Sequence, residues 1–286
     1  MNILSIASSV AYGHVGNSAV VFPLQRLGAE VWPIATVRFS NHPGHGGFTG
    51  TVTEAAEVRA LVDGIAARGV LGACDAVLSG YLGAAETGPA VLHAVDLVRA
   101  ANPAALYCCD PVIGDDGPGV YVRPGVAAFL RERGIAAADL ATPNRFELEF
   151  LTGRRVTTLA EAKAAAAVLA ARLRPNGPRA VLVTSLRSEP TQDDAIDLLV
   201  TEAGRFWRLR TPLLPIVVNG AGDALAALFL FHRMAAGDAG AALAAAASAI
   251  QAVLRRTQAA GGRELALVAA QQEIVAPSVR FAAEAC

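Results

Sequence analysis

The sequence predicts an α/β fold, a mainly parallel central sheet with helices on both faces. Short apolar runs of β type alternate with longer helical patterns, which implies parallel strands linked by crossover helices. A late pair of strand-like runs is joined by a tight turn and reads as an antiparallel hairpin at one edge of that sheet. The chain of 286 residues is 53% hydrophobic and only 17% charged, which leaves ample material for a large core and excludes disorder as the main state.

Taken in order, the apolar run at 3–7 reads as a strand and 18–27 as the helix that follows it. A second strand at 31–36 leads to a helical pattern at 53–68, and a third at 76–79 to one at 87–101. The run LYCC at 106–109 is a fourth strand, followed by a helical pattern at 125–133. Strand 139–141 precedes helices at 145–151 and 159–173, and strand 180–183 follows the proline- and glycine-rich loop 174–179. Strands 195–201 and 205–210 flank the turn at Ala203 and Gly204. After Asp223 the pattern is helical almost to Glu273.

Charge and cysteine usage narrow the class. A net charge of −1 without a basic block argues against a nucleic-acid partner. The four cysteines form no C-x-x-C pair and have no zinc spacing with histidine, which fits a reducing cytoplasm, and the adjacent Cys108 and Cys109 in an apolar run are expected to be buried thiols. The apolar start lacks a basic segment of signal-peptide type. The hydrophobic stretch 239–254 falls short of the ~18–20 residues that a membrane span requires.

Ligands of open parallel sheets bind at the carboxyl ends of the strands. Five strand ends carry polar residues immediately: Ser8 and Ser9; Gly80 and Tyr81; Asp110; Thr142, Asn144 and Glu147; Thr184 and Ser185. Any one of these is an ordinary loop residue, and the set as a whole is what points to a site. In VVNGAGDALAALFLF, 217–231, Asp223 follows three very small residues ahead of a helical pattern. The first amides of a helix lack intrahelical partners, and small residues let an anion approach them. Gly220, Ala221 and Gly222 are therefore read as an anion hole for a phosphoryl group. Asp223 is read as the base for an attacking hydroxyl, its pKa held low by the helix dipole. A plain helix cap with turn glycines explains the same segment equally well. Neither G-x-x-x-x-G-K-[ST] nor G-x-G-x-x-G follows the first strand, so a different phosphate cradle is needed. The stretch GDDGPGVYVRP at 114–124 is read as a mobile lid, with an exposed surface loop as the alternative.

YGHVGNSA (12–19), FPLQRLGAEVWP (22–33), VRFSNH (37–42), CDAVLSGYLG (74–83), CDPVIGD (109–115), TPNRFELEFLTG (142–153) and NGAGD (219–223) together carry a resemblance. The chain resembles the pyridoxal kinases of bacterial vitamin B6 salvage, within the ribokinase superfamily, over nearly its whole length. NGAGD indicates only the superfamily, whereas YGHVGNSA with FSNH and SGYLG narrows it to the B6 kinases. The resemblance implies a single ribokinase-like kinase domain over 1–286 that uses ATP to phosphorylate the 5′-hydroxymethyl group of pyridoxal.

By that resemblance Asp223 is the catalytic base and Gly220, Ala221 and Gly222 its anion hole. Ser8, Tyr81, Pro43, Gly44 and His45 lie on the substrate side. Asp110, Thr142, Asn144, Glu147, Thr184 and Ser185 lie on the nucleotide side, and Thr211, Pro212, Leu213 and Leu214 border the adenosine. Asp110 and Glu147 serve Mg²⁺, partly through water, as two carboxylates suit a hard cation that retains its waters. The resemblance also implies a homodimer and a stimulating monovalent cation such as K⁺.

Three departures bear on substrate preference. Pro43 stands where the family usually has threonine and supplies neither hydroxyl nor N–H. His45 replaces an aromatic residue, often tyrosine, and Thr184 replaces the lysine of some bacterial members. His14 and His42 are expected to bond loop backbone. Two further readings stay open: a hydroxymethylpyrimidine kinase, against which YGHVGNSA and FSNH argue, and a non-catalytic protein that binds pyridoxal or its phosphate.

Overall fold

A computed structural model describes every residue except 190 and 192. A ten-stranded sheet runs through it, built from β1 (Asn2–Val10), β2 (Glu30–Phe39), β3 (Gly50–Val52), β4 (Ala76–Ser79), β5 (Leu106–Cys109), β8 (Leu140–Ala141), β9 (Ala180–Leu186), β10 (Ala195–Glu202), β11 (Arg205–Pro212) and β12 (Glu284–Ala285). A separate two-stranded ribbon pairs β6 (Gly114–Asp115) with β7 (Gly119–Val120). The order in the large sheet is β12-β11-β10-β9-β8-β5-β4-β1-β2-β3. The six strands from β9 to β2 are mutually parallel, and β10, β11, β12 and β3 add on antiparallel.

The expected hairpin forms with Ala195 opposite Pro212 and Glu202 opposite Arg205. It is not the outer edge, because β12 pairs with β11 beyond it. β3 closes the opposite edge against β2. Both short strands escaped the sequence pattern, being too brief to show a period.

Helices α1 (Asn17–Arg26), α8 (Ala221–Ala236), α9 (Ala239–Ala259) and α10 (Gln271–Val275) cover one face. Helices α2 (Ala55–Ala66), α3 (Thr87–Ala101), α6 (Arg145–Thr152) and α7 (Leu159–Arg172) cover the other. On that second face α4 (Val126–Phe129) and α5 (Ile135–Ala137) are joined through a π turn at Leu130–Gly134. The result is the expected three-layer arrangement.

The long helix expected after Asp223 is broken. α8 ends at Gly237, whose φ of 68° stops it, and the Asp238 side chain accepts the Ala241 N–H to start α9. Residues 260–270 are irregular before α10. α8 buries Leu228, Phe229 and Leu230 almost completely. Each such side chain contributes about 1.5–3 kcal/mol relative to exposure, so the start of α8 is held firmly against the sheet. Among the described residues, no helix is long and apolar enough to cross a membrane.

Candidate active site

β1 lies between β2 on one side and β4 on the other, so the chain reverses its direction of sheet growth there. Such a switch point leaves a crevice beyond the carboxyl ends of the two strands. Ser8 stands at the end of β1, and Gly80 and Tyr81 follow β4. Asp223 reaches the same crevice from the opposite layer. A Cβ built on Gly80 would lie 3.7 Å from Asp223 Oδ1. A Cβ on Gly16, whose φ is 52°, would fall 2.2 Å from both Ser8 O and Ser8 Oγ. Only glycine allows the 12–16 loop to close this tightly over the end of β1.

Gly220 is the N-cap residue of α8, with φ 84°, and a Cβ there would fall 1.8 Å from the carbonyl oxygen of His14. Among the described residues, no side chain caps this helix end. Its first amides thus face the crevice without a protein side-chain acceptor. Gly222 has open space around its Cβ position. Asp223 belongs to the first turn of α8, not to the turn ahead of it.

The expectation of a low Asp223 pKa is overturned. Desolvation by burial pushes it up to about 6, and the backbone amides of Gly16 and Asp223 itself only partly oppose this. The dipole of one helix turn is a weaker influence than the loss of water around the carboxylate. Asp110 is pushed up to about 7, first by burial and then by the charge of Asp223, against the hydrogen bond from Thr142. Glu147 is raised well above the usual carboxylate range by burial and by Asp110. These carboxylates therefore share one poorly solvated region.

Asp110 and Thr142 meet directly, Thr142 Oγ1 donating to Asp110 Oδ1 at 2.8 Å. Asn144 and Glu147 form a capping box at the start of α6: Asn144 Oδ1 accepts the Glu147 N–H at 2.8 Å, and Glu147 Oε2 accepts the Asn144 N–H at 2.9 Å. Glu147 Oε1 takes the Ile113 N–H at 2.9 Å, and Asn144 Nδ2 donates to Gly114 O at 2.8 Å. The base of the 114–120 ribbon is anchored to α6 by these bonds. Arg145 ties its tip to the same helix through an ion pair of 2.6 Å with Asp116. Tyr121, read from the sequence only as part of the 114–124 stretch, is half-exposed, yet desolvation around its hydroxyl and then Glu147, Asp110, Asp115 and Asp223 raise its pKa. Its position after a glycine-dense ribbon was the available signal.

Thr184, Ser185, Thr211, Ala221 and Gly222 line one cavity of about 120 Å³. Ser185 has φ 52° at the end of β9, a left-handed conformation that a serine rarely adopts. Pro212, Leu213 and Leu214 are not among the lining residues. The remaining wall is apolar, with Leu198, Leu225 and Ile250, and Gln251 completes it. Sequence reasoning overlooked that wall. The available signal was Gln251, a buried amide in an alanine-rich helix.

Pro43, Gly44 and His45 form a single 3₁₀ turn. Gly44 lies beside NGAGD, since its Cβ position is 3.5 Å from Asn219 Nδ2. Gly44, His45 and Asn219 line a second cavity of about 520 Å³, together with Val217, Gln258 and Arg263. His42 does bond the loop backbone, its Nδ1 accepting the Gly44 N–H at 3.1 Å. The His14 ring does not: its Nδ1 is buried without a partner among the described residues, and only its backbone N–H is engaged, by Glu264. Cys108 and Cys109 are free and buried, as expected; Cys74 is free and buried too, and Cys286 is free and exposed.

Comparison with known proteins gives this geometry its context. The chain is 58% identical to pyridoxal kinase PdxY of Granulibacter bethesdensis, over all of both chains. It is 54% identical to pyridoxal kinase PdxY of Deinococcus radiodurans, over 99% of this chain and 96% of the other. The chain belongs to the pyridoxal kinase family. Residues 51–267 match the family model described as phosphomethylpyrimidine kinase, a match that begins after YGHVGNSA and FSNH. The structure of Leishmania donovani pyridoxal kinase in complex with ADP and pyridoxamine superposes with a TM-score of 0.90 at 29% identity, covering 100% of this chain and 99% of the other. Pyridoxal kinase from Trypanosoma brucei superposes at 0.87 with 27% identity, again over 100% and 99%. This family member therefore has the ribokinase-like α/β fold.

Proposed function

We propose that this enzyme transfers the γ-phosphoryl group of ATP to the 5′-hydroxyl of pyridoxal, with Asp223 receiving the hydroxyl proton. The observation that carries the assignment is the meeting of Asp223, the strand ends bearing Ser8 and Tyr81, and the uncapped first turn of α8 at one crevice. In this reading the backbone amides of Gly220, Ala221 and Gly222 hold the migrating phosphoryl group while charge spreads over its oxygens. A carboxylate with a pKa near 6 is ionised at neutral pH yet basic enough to accept a proton late in the transfer.

Ser8 would hold the pyridine ring, and Tyr81 and the turn Pro43–His45 would border it. The cavity behind Thr184, Ser185 and Thr211 would take the adenosine. Pro212, Leu213 and Leu214 would continue its rim.

Asp110 and Glu147 fit Mg²⁺. They are buried acids, Asp110 raising the Glu147 pKa and itself raised by Asp223, and a cation would relieve that repulsion. When bound, Mg²⁺ supplies charge neutralisation along the phosphate chain. Asp110 is oriented for this by Thr142, and Glu147 by the amides of Ile113 and Asn144. A stimulating K⁺ and a homodimer rest on family membership alone. Exchanging K⁺ for choline and measuring sedimentation test them in turn. Three buried free thiols support a reducing cytoplasmic setting. One sheet that draws strands from both ends of the chain supports reading 1–286 as a single domain.

Asp223→Asn tests the central assignment. Turnover falls by about 10²–10⁴-fold, while calorimetry still detects ATP binding. Near-parental turnover in this variant removes Asp223 from its role. Parallel assays with the pyrimidine alcohol separate the two kinase readings. Vitamer binding without ATP consumption would favour the non-catalytic one.

A further inference from the structure

We propose that Glu264 is a positioning residue that latches the substrate-side turn through His45 and, with the same carboxylate, the 12–16 loop through the His14 amide. This rests on the kinase reading above and assigns a role to a residue outside that reading. Glu264 Oε1 pairs with His45 Nε2, and Oε2 accepts the His14 N–H at 2.8 Å. The two side chains are partly covered, 21% exposed for His45 and 17% for Glu264, while residue 45 as a whole lies at the surface. With both side chains partly covered, the contact is screened less than a fully exposed one.

The two arms reach different parts of the site. Gly13 has φ 92°, and a Cβ there would fall 2.2 Å from Glu264 Oε2, so the carboxylate is seated directly on the 12–16 loop. That loop ends at Gly16, whose amide faces Asp223. The other arm holds His45, the last residue of the turn Pro43–His45, while His42 caps its start through the Gly44 N–H. The turn is thus pinned at both ends, beside Asn219 of NGAGD.

Glu264 itself is delivered by a rigid segment. Leu265 and Leu267 are almost fully buried on either side of Ala266, and Thr257 Oγ1 accepts the Ala266 N–H at 2.9 Å. His45 stands where an aromatic residue is usual for the family. A phenyl ring there could make no bond to the carboxylate, whereas in this chain the imidazole adds a polar cross-link to its edge contact with Tyr12. The ordering entropy of the turn is then met before the vitamer arrives, which lowers KM.

The test compares His45→Ala, Glu264→Ala, Glu264→Gln and the double alanine variant. His45→Ala should raise KM for pyridoxal about tenfold and leave KM for ATP in place, a split that a general loss of structure does not produce. Glu264→Ala should add a loss in kcat, because the 12–16 loop is freed as well. Glu264→Gln, which keeps an acceptor for the His14 amide, should recover kcat more than KM. The double variant should be no worse than Glu264→Ala, as coupled partners are non-additive. Hydrogen exchange of residues 41–49 should rise in His45→Ala whether or not pyridoxal is the substrate, so the latch is read separately from the reaction. Unchanged exchange, an unchanged pyridoxal KM in His45→Ala, or additive effects in the double variant would each overturn the proposal.

Discussion

Asp223 shows how one carboxylate answers to several influences at once. The helix dipole lowers its pKa, burial raises it, and burial wins, leaving a value of about 6. The ionised form is the one that can accept a proton. The kcat/KM for pyridoxal is therefore expected to climb as pH rises through about 6 and to level off above it. A rate profile from pH 5 to 8 checks this, and a flat profile would contradict the assigned base. Asp110, raised to about 7 in part by Asp223, makes the two groups titrate as a pair, so the climb should be broader than that of one acid.

At the scale of elements, the start of α8 and the 12–16 loop form one unit. Gly220 can adopt φ 84° against His14 O because it lacks a Cβ, and the helix amides behind it stay uncapped. Gly220→Ala is expected to cost about 1–3 kcal/mol of stability from backbone strain and steric displacement. Its kcat should fall further than that of an alanine substitution at Gly222, where the Cβ position is open. Thermal melts and steady-state rates of the two variants separate strain from simple loss of glycine. The start of α6 is built differently, with its first amides closed by the Asn144–Glu147 capping box. One helix end is thus closed by side chains, and the other, among the described residues, has no side-chain cap.

For the whole molecule, the consequence of crowding buried acids at a switch point is a pH-dependent stability. The folded pKa values of Asp110 and Asp223 lie above the free value of 3.8. Between that value and about 7 the folded protein holds protons that the unfolded chain releases, so their contribution to stability is lost as pH rises. The melting temperature of Asp110→Asn minus that of the parent should therefore grow from pH 5 to pH 8. Mg²⁺ with ADP should restore the parent at the upper end, by about 2.7 kcal/mol at a hundredfold excess over Kd. Calorimetry at the two pH values checks both parts.

The alternation of apolar runs and helical patterns was enough to specify the three layers, the parallel core and the β10–β11 hairpin, because those features follow from local periodicity. Strand ends named Ser8, Tyr81 and Asp110 as candidates, since the parallel sheet must bring its carboxyl ends to one edge, and the small-residue turn ahead of a helical pattern named Asp223. Only the tertiary structure decided that Asp223 loses so much water that its pKa rises. It also decided that α9 walls the cavity beside Thr184 and Ser185 with Gln251, and that Glu264 comes back some 220 residues later to grip His45. Desolvation and long-range pairing depend on what is folded against a residue, and no periodicity within its own segment records that.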